Sequence, residues 1–424
     1  MKDIHAALRD ASCADDYDPD SMSVETARQF IHRFLSPVSG FEQVHIRQAL
    51  NRVLAEKLVS PLDVPAHINS AMDGYAIRSE DFPEGKTPSL KVIGTAFAGR
   101  PFSGKVAQGQ CVRIMTGAVL PEGTDTVVIQ EKVKLDVDNV ILDSGPRQGE
   151  NVRAKGEDLH KGETVLNPGH LLRPAEIGLL ASLGINEVRV YRRLRIAFFS
   201  TGDELRSIGS PLEEGQIYDS NRYTLYGMLK RLDVDLMDMG VVQDDPQAIE
   251  SALTEAASSA DVILTSGGVS VGEADFIRGL LDKLGEVVFW KIAMKPGRPL
   301  AYGRIGNAHF FGLPGNPVSV MVTFYQFVQN ALKVLMGQTD VMPLPTFRVP
   351  CLTPLKKAAG RTEFQRGILL LNNNGEWTVR VTGAQGSGIL RSMSEANCFI
   401  VLPEAQGNVA AGEYVEVQVL EGMI

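Results

Sequence analysis

Cysteine is scarce in this chain and never closely spaced. The 424 residues hold four, Cys13, Cys111, Cys351 and Cys398, with no Cys-x-x-Cys among them. Neither a zinc knuckle nor a thioredoxin-type pair is expected. Nothing suggests a disulfide framework, so a reducing cytoplasm is the expected compartment. Positive charge is also short: 42 Lys and Arg face 51 Asp and Glu, a net −9. That balance gives no global footprint for nucleic acid, although a local loop can still hold a small anion. The N-terminus carries Asp3, Asp10, Asp15 and Asp16 and no apolar core, unlike a signal peptide. The uncharged run from Ile305 to Leu332 is interrupted by His309, Pro314, Asn316 and Pro317, which favours a buried strand and helix over a membrane span. Neither nucleic acid nor a membrane is expected as a partner.

What is present is a globular composition, 44% hydrophobic and 22% charged, with 41 Gly and 22 Pro marking many turns. The length implies roughly two to four domains. Val24, Ala27, Phe30, Ile31, Phe34 and Leu35 line one helical face behind a Ser23 N-cap. From about 60 to 150, short apolar runs between Gly and Pro clusters predict a small β domain. Pro174 suits the first position of a helix to Leu183. From 193 strand, loop and helix alternate, with strands at Leu194–Phe199, Val234–Val242, Val262–Leu264 and Val287–Ile292 and helices at Asn221–Arg231 and Phe276–Leu284. This predicts a parallel sheet flanked by helices. From about 340 short strand candidates return, predicting a compact barrel or sandwich.

In a doubly wound sheet, ligands gather at the carboxyl ends of the strands. The loops there carry the candidates. Thr265 to Gly272, with Gly267, Gly268 and Ser270, either offers backbone N–H groups to an anion or serves as a flexible connector. It is neither a Walker A loop nor G-x-G-x-x-G. Lys291, Lys295 and Arg298 surround Pro296-Gly297 and suit either phosphate recognition, where a lysine is a point charge and an arginine forks onto two oxygens, or a solvated turn. Asp203, Glu204, Asp244, Asp245 and Asp275 follow strands or open helices. Singly each reads as a cap; together at one sheet edge they point to Mg²⁺ with phosphate. Pro314 and Pro317 stiffen the wall around Gly315-Asn316, and Asn316 is placed to cap the helix that Pro317 starts. Asp73-Gly74 alone reads as a hairpin turn. Residue chemistry thus supports an anion-plus-Mg²⁺ site and names no substrate.

These segments resemble the molybdopterin molybdenumtransferase family, relatives of the E domain of gephyrin. The resemblance lies in Ser70-Ala71-Met72-Asp73-Gly74-Tyr75-Ala76, Arg113-Ile114-Met115-Thr116-Gly117-Ala118, Gly156-Glu157-Asp158, Ser200-Thr201-Gly202-Asp203-Glu204-Leu205, the Thr265–Gly272 loop, Lys295-Pro296-Gly297-Arg298-Pro299 and Leu313-Pro314-Gly315-Asn316-Pro317, in order from about 21 to 420. It implies a multidomain α/β plus β fold. An elongated N-terminal domain (21–60 and 150–192) would carry an inserted β domain (61–149). A central doubly wound α/β pterin-binding domain (193–338) and a C-terminal β barrel-like domain (339–424) would follow. It also implies a homodimer with the active site shared between subunits. Asp73 and Thr116 would come from the inserted domain. Asp158, Glu204, Asp244 and Asp275 would serve metal and pterin phosphate, with Glu204, Asp244 and Asp275 as Mg²⁺ ligands. Lys291, Lys295 and Ser387 would lie near the anion, Arg366 would add charge from the C-terminal domain, and Pro314 and Pro317 would shape the pocket. The implied reaction inserts molybdate into adenylated molybdopterin with release of AMP, downstream of a molybdopterin adenylyltransferase. Two rivals are that adenylyltransferase itself, which lacks the Asp73 segment and the C-terminal β domain, and a gephyrin-like scaffold.

Overall fold

The computed structural model describes residues 21–82, 89–142, 145–267, 279–281 and 283–420. The chain forms two compact units. One comprises residues 1–55, 168–174 and 187–424, and the other 56–167 and 175–186.

In the first unit, Ser23 accepts a hydrogen bond from Thr26 N–H and caps the helix Val24–Arg33, whose Ala27, Phe30 and Ile31 are buried. The central sheet runs in the order Ser21–Met22, Gly285–Ile292, Pro299–Ile305, Ala308–Leu313, Val262–Ser266, Arg195–Thr201 and Asp235–Val242. Successive residues feed opposite faces. Phe198, Leu264 and Phe311 join one core with Leu225, Leu229 and Phe324. Phe199, Ile263 and Phe310 join the other with Leu253 and Ala256. Burial on both faces is why these strands read as continuous apolar runs rather than alternating ones.

The last four strands of that order are parallel, as the alternation predicts, and so is the edge pair Ser21–Met22 and Gly285–Ile292, but the strand between them is reversed. Pro299–Ile305 runs antiparallel to both Gly285–Ile292 and Ala308–Leu313. No helix separates these strands in sequence; Ile305 and Ala308 pair across Gly306-Asn307, and a turn that short can only reverse the chain. The sequence reading also passed over Pro299–Ile305, which Pro299 and Gly303 disguise. Asp245 caps the helix Pro246–Ser259 as expected, accepting from Ala248 N–H. Asn316 occupies the N-cap of Pro317–Thr323, but its side chain makes no capping bond.

The C-terminal part is a six-stranded sheet ordered Met294–Lys295, Thr362–Leu371, Cys398–Leu402, Tyr414–Val419 and Thr346–Pro350, with Trp377–Val381 against Thr362–Leu371. A bridge between Cys351 and Val379 curls it toward closure. The second unit holds a sheet ordered Thr126–Ile129, Gly74–Ile77, Gln110–Ile114, Ser89–Ala96, Asn139–Leu142 and Val133–Asp136. Its cores contain Tyr75, Leu90 and Cys111 on one side and Ala76, Val112 and Ile114 on the other. Asn69–Ser70 pairs with Val152–Arg153 while Gly74–Ile77 pairs with two other strands, so Asp73-Gly74 is a crossing between sheets, not a hairpin. Among the described residues no helix is long and apolar enough to cross a membrane.

One buried network makes stability depend on pH. Arg304 donates an Nη–H to His309 Nε2 at 3.2 Å, and the Tyr302 hydroxyl lies 3.4 Å from Nδ1. Arginine only donates, so Nε2 is the acceptor and the ring is neutral with its proton on Nδ1. Burial, then the Arg304 charge, pushes the His309 pKa down to about 4. The unfolded chain therefore binds more protons between about pH 4 and 6.5. The stabilisation is complete above about pH 6.5 and is lost as pH falls toward 4, roughly 3 kcal/mol in all. In urea unfolding, His309→Gln should flatten the acid limb over that range. Parallel acid limbs in parent and variant would refute the assignment.

Candidate functional site

Four parallel strands deliver their carboxyl ends to one cavity of ≈ 250 Å³ in the first unit. Thr201 ends one strand, Asp244 follows the next, Ser266 and Gly267 close the third, and Gly315 and Pro317 follow the fourth. Glu204 joins them from the Gly202-Asp203-Glu204 loop. The structure thus brings Glu204, Asp244, Gly267 and Pro317 together. Asp203 accepts the Asp244 N–H at 3.3 Å, which ties the two acidic loops. Gly267 sits at φ +93°, and a Cβ there would lie 2.6 Å from Thr201 O; only glycine lets these two strand ends approach so closely.

Two residues that are not among the sequence-predicted site residues complete this cavity. Asn221 donates both amide hydrogens, to Ser266 Oγ and Gly315 O, each at 2.7 Å, and so joins two strand-end loops. Asp219, 2% exposed, accepts from Ser200 Oγ and Arg222 N–H at 3.1 Å each and caps the helix Ser220–Lys230. The available signal was Asp219 immediately ahead of a helix that opens with Ser220-Asn221, a capping pattern that conceals a ligand-facing role equally well. Thr201 Oγ1 and Asn221 Oδ1 are buried without a hydrogen-bond partner among the described residues.

A second cavity of the same unit, ≈ 210 Å³, brings Lys295 and Arg366 together with Lys356, Glu363, Gln365 and Gln385. The strand pairing sets Lys295 opposite Glu363, with Lys295 Nζ 3.3 Å from Glu363 Oε1. Arg366 is 1% exposed. Its Nε donates to Ser392 Oγ and an Nη to Gly386 O, both at 3.1 Å. Burial pushes its pKa down to about 10, against which Glu363 pulls upward, so it stays cationic at neutral pH. The strand begins at Thr362, ahead of the apolar run that follows Gly367, because polar Glu363, Gln365 and Arg366 line a pocket.

The expected single gathering of carboxylates and cations is therefore sorted into an oxygen-rich cavity and a cationic one. Lys291 is exposed at the end of its strand, and Arg298 donates to Ser21 Oγ at 3.3 Å. Neither lines the two cavities, nor do Pro314 and Ser387, though the Ser387 carbonyl accepts from Val318 N–H at 3.1 Å. Gly268, Ser270 and Asp275 lie outside the described residues.

In the second unit, Asp73 and Thr116 meet. One Asp73 oxygen accepts from both Thr116 N–H and Thr116 Oγ1 at 2.7 Å. Those bonds, with Arg113 nearby, hold the Asp73 carboxyl below its ordinary range against a small effect of burial, so it is an anion at neutral pH. Asp158 lies on a loop fixed by its own N–H to Val64 O at 2.9 Å and by Asp63, which accepts Lys161 N–H at 2.9 Å and pairs with Lys155 at 3.2 Å.

The oxygen-rich cavity fits a Mg²⁺ ion. Its lining offers Glu204, Asp244, Asp219 and hydroxyls without His or Cys, and its orphaned Thr201 and Asn221 oxygens are acceptors in need of a partner. No three or more His, Cys, Asp or Glu among the described residues form a cage of their own. Magnesium needs none, since it takes one or two carboxylates and completes its shell with water and substrate phosphate.

Residues 197–334, which hold the four parallel strand ends, match the family described as a probable molybdopterin binding domain. Residues 22–184 match the MoeA N-terminal region (domain I and II) and 348–420 the MoeA C-terminal region (domain IV). The chain is 48% identical over 398 residues to a molybdopterin molybdenumtransferase of Haemophilus influenzae, covering 94% of this chain and 98% of that protein. It is 33% identical to gephyrin of Dictyostelium discoideum, covering 88% of this chain and 59% of that one. A solved molybdopterin biosynthesis MoeA protein of Pyrococcus horikoshii superposes with a TM-score of 0.81 at 30% identity, over 94% of this chain and all (100%) of that one. The chain belongs to the molybdopterin molybdenumtransferase family, and is a transferase of molybdenum-cofactor biosynthesis.

Proposed function

We propose that the protein inserts molybdate into adenylated molybdopterin and releases AMP, in a Mg²⁺-dependent reaction. The observation that carries this is the division of labour within one unit. An oxygen-lined cavity stands at four parallel strand ends, and a cationic one is built around Lys295 and Arg366. A pyrophosphate bridged by Mg²⁺ suits the first, and a tetrahedral oxyanion suits the second.

Glu204 and Asp244, with Asp275, would hold the ion. When bound, Mg²⁺ neutralises phosphate charge and polarises the phosphoanhydride. The Gly267 N–H goes to Leu313 O at 3.2 Å, so Gly268 and Ser270 would be the loop residues to supply N–H groups to the phosphates. Lys295 and Arg366 would orient molybdate for uptake by the dithiolene sulfurs, and Pro317 would stiffen the wall of the oxygen-lined cavity. In a homodimer, Asp73, Thr116 and Asp158 of the partner subunit would complete the site. As two Mo–S bonds replace Mo–O bonds the displaced oxygen would leave as water or hydroxide, one water would add across the phosphoanhydride, and AMP would leave without a protein-bound intermediate. Burial pushes the Cys111 and Cys398 thiols up to about 12, which leaves them unreactive at neutral pH. The substrate would come from a molybdopterin adenylyltransferase in the cytoplasm.

The test is AMP release from adenylated molybdopterin. AMP should form only with molybdate and Mg²⁺ both present, in step with cofactor competent to reconstitute a molybdoenzyme. AMP formation indifferent to molybdate, or accumulation of adenylate from molybdopterin and ATP, would overturn the proposal.

A further inference from the structure

The cationic cavity contains a negative charge that oxyanion binding does not call for. Glu363 is 5% exposed. Its Oε1 faces Lys295 Nζ at 3.3 Å and its Oε2 accepts from Gln365 Nε2 at 3.0 Å. The parallel pairing of Met294–Lys295 with Thr362–Glu363 fixes that meeting through the backbone. Gln365 is held in turn by its second bond, to Lys356 O at 3.1 Å. The carboxylate is therefore built in, while the Lys295 side chain remains 52% exposed and able to swing. A buried carboxylate in the wall of an anion pocket repels the ligand the pocket attracts.

We infer that Glu363 is a built-in counter-ion that sets how tightly this cavity holds a doubly charged tetrahedral oxyanion, engaging Lys295 until the oxyanion takes its place. The inference rests on the oxyanion reading of the cavity. Binding exchanges the Lys295–Glu363 contact for a Lys295–oxyanion contact and leaves Glu363 facing the ligand. The hold is weakened by design: an oxyanion that must leave for dithiolene sulfurs gains nothing from a deep ground-state well. Glu363 also keeps Lys295 placed between turnovers, with Arg366 fixed separately by Ser392 and Gly386. Because Coulomb repulsion scales with ligand charge, a dianion suffers twice the free-energy penalty of a monoanion of the same shape.

The experiment measures binding of molybdate and of singly charged perrhenate by calorimetry, with thermal unfolding recorded for every variant. Glu363→Gln keeps the shape and an acceptor oxygen but removes the charge. It should bind molybdate at least about tenfold more tightly, and the gain for perrhenate should be near the square root of that factor. Glu363→Asp, which keeps the charge, should stay within about threefold of the parent. Glu363→Ala is a second neutral variant and should show the same direction as Glu363→Gln. Unchanged or weaker molybdate binding in the folded neutral variants, or equal gains for the two anions, would overturn the role of Glu363. Lys295→Ala separates that failure from a failure of the underlying reading. Weakened molybdate binding there keeps the cavity as the oxyanion site, whereas unaltered binding removes the site and this inference with it.

Discussion

Gly74→Ala is expected to lose about 3 kcal/mol or more of stability, because a Cβ in a close-packed sheet has nowhere to go. At this position it would lie 2.0 Å from Val128 O and 2.8 Å from Val128 C. Both atoms are backbone, in the strand paired with Gly74–Ile77, so no side-chain rotation relieves the clash. The strand would have to separate from Thr126–Ile129 and open a core that includes Tyr75, Ile77 and Val128. Asp73, immediately before it, would move away from Thr116. Urea unfolding measures the loss directly, and a variant within about 0.5 kcal/mol of the parent, the usual range for an indifferent surface change, would show that the strands are looser than described.

Arg366→Ala is expected to weaken molybdate binding about 100-fold, the scale for removing one hydrogen-bonded buried charge from an anion contact. The guanidinium is held by Ser392 and Gly386 before any ligand arrives, so little ordering is left for binding to bear. Arg366→Lys should recover only part of the affinity. A lysine supplies the charge but cannot reach Ser392 Oγ and Gly386 O with one fork. Calorimetry with molybdate on both folded variants tests this; parental affinity in both would remove Arg366 from the site.

Particular elements show how much was legible beforehand. Ser23, Pro174 and Asp245 each fixed a helix start that the structure reproduces, since capping depends on a few adjacent residues. The strands Arg195–Thr201 and Val262–Ser266 were visible as apolar runs because both faces of that sheet are buried. Pro299–Ile305 was not, since its proline and glycine mimic a loop. The Asp73-Gly74 pair was read locally as a turn, whereas its glycine answers to a strand more than 50 residues away, at Val128. Glu363 and Asn221 escaped because a buried polar residue looks, in sequence, like a surface one.

By itself, then, the sequence determined the alternation of strands and helices, the helix caps and the set of charged and glycine-rich loops at strand ends. These depend on contacts between near neighbours or on the side-chain period of each element. Only the tertiary structure decided which loops share a cavity, that the carboxylates and the cations occupy different ones, and that Lys295 lies opposite Glu363. Such facts come from strand order and register, which join residues distant in the chain and leave no local trace.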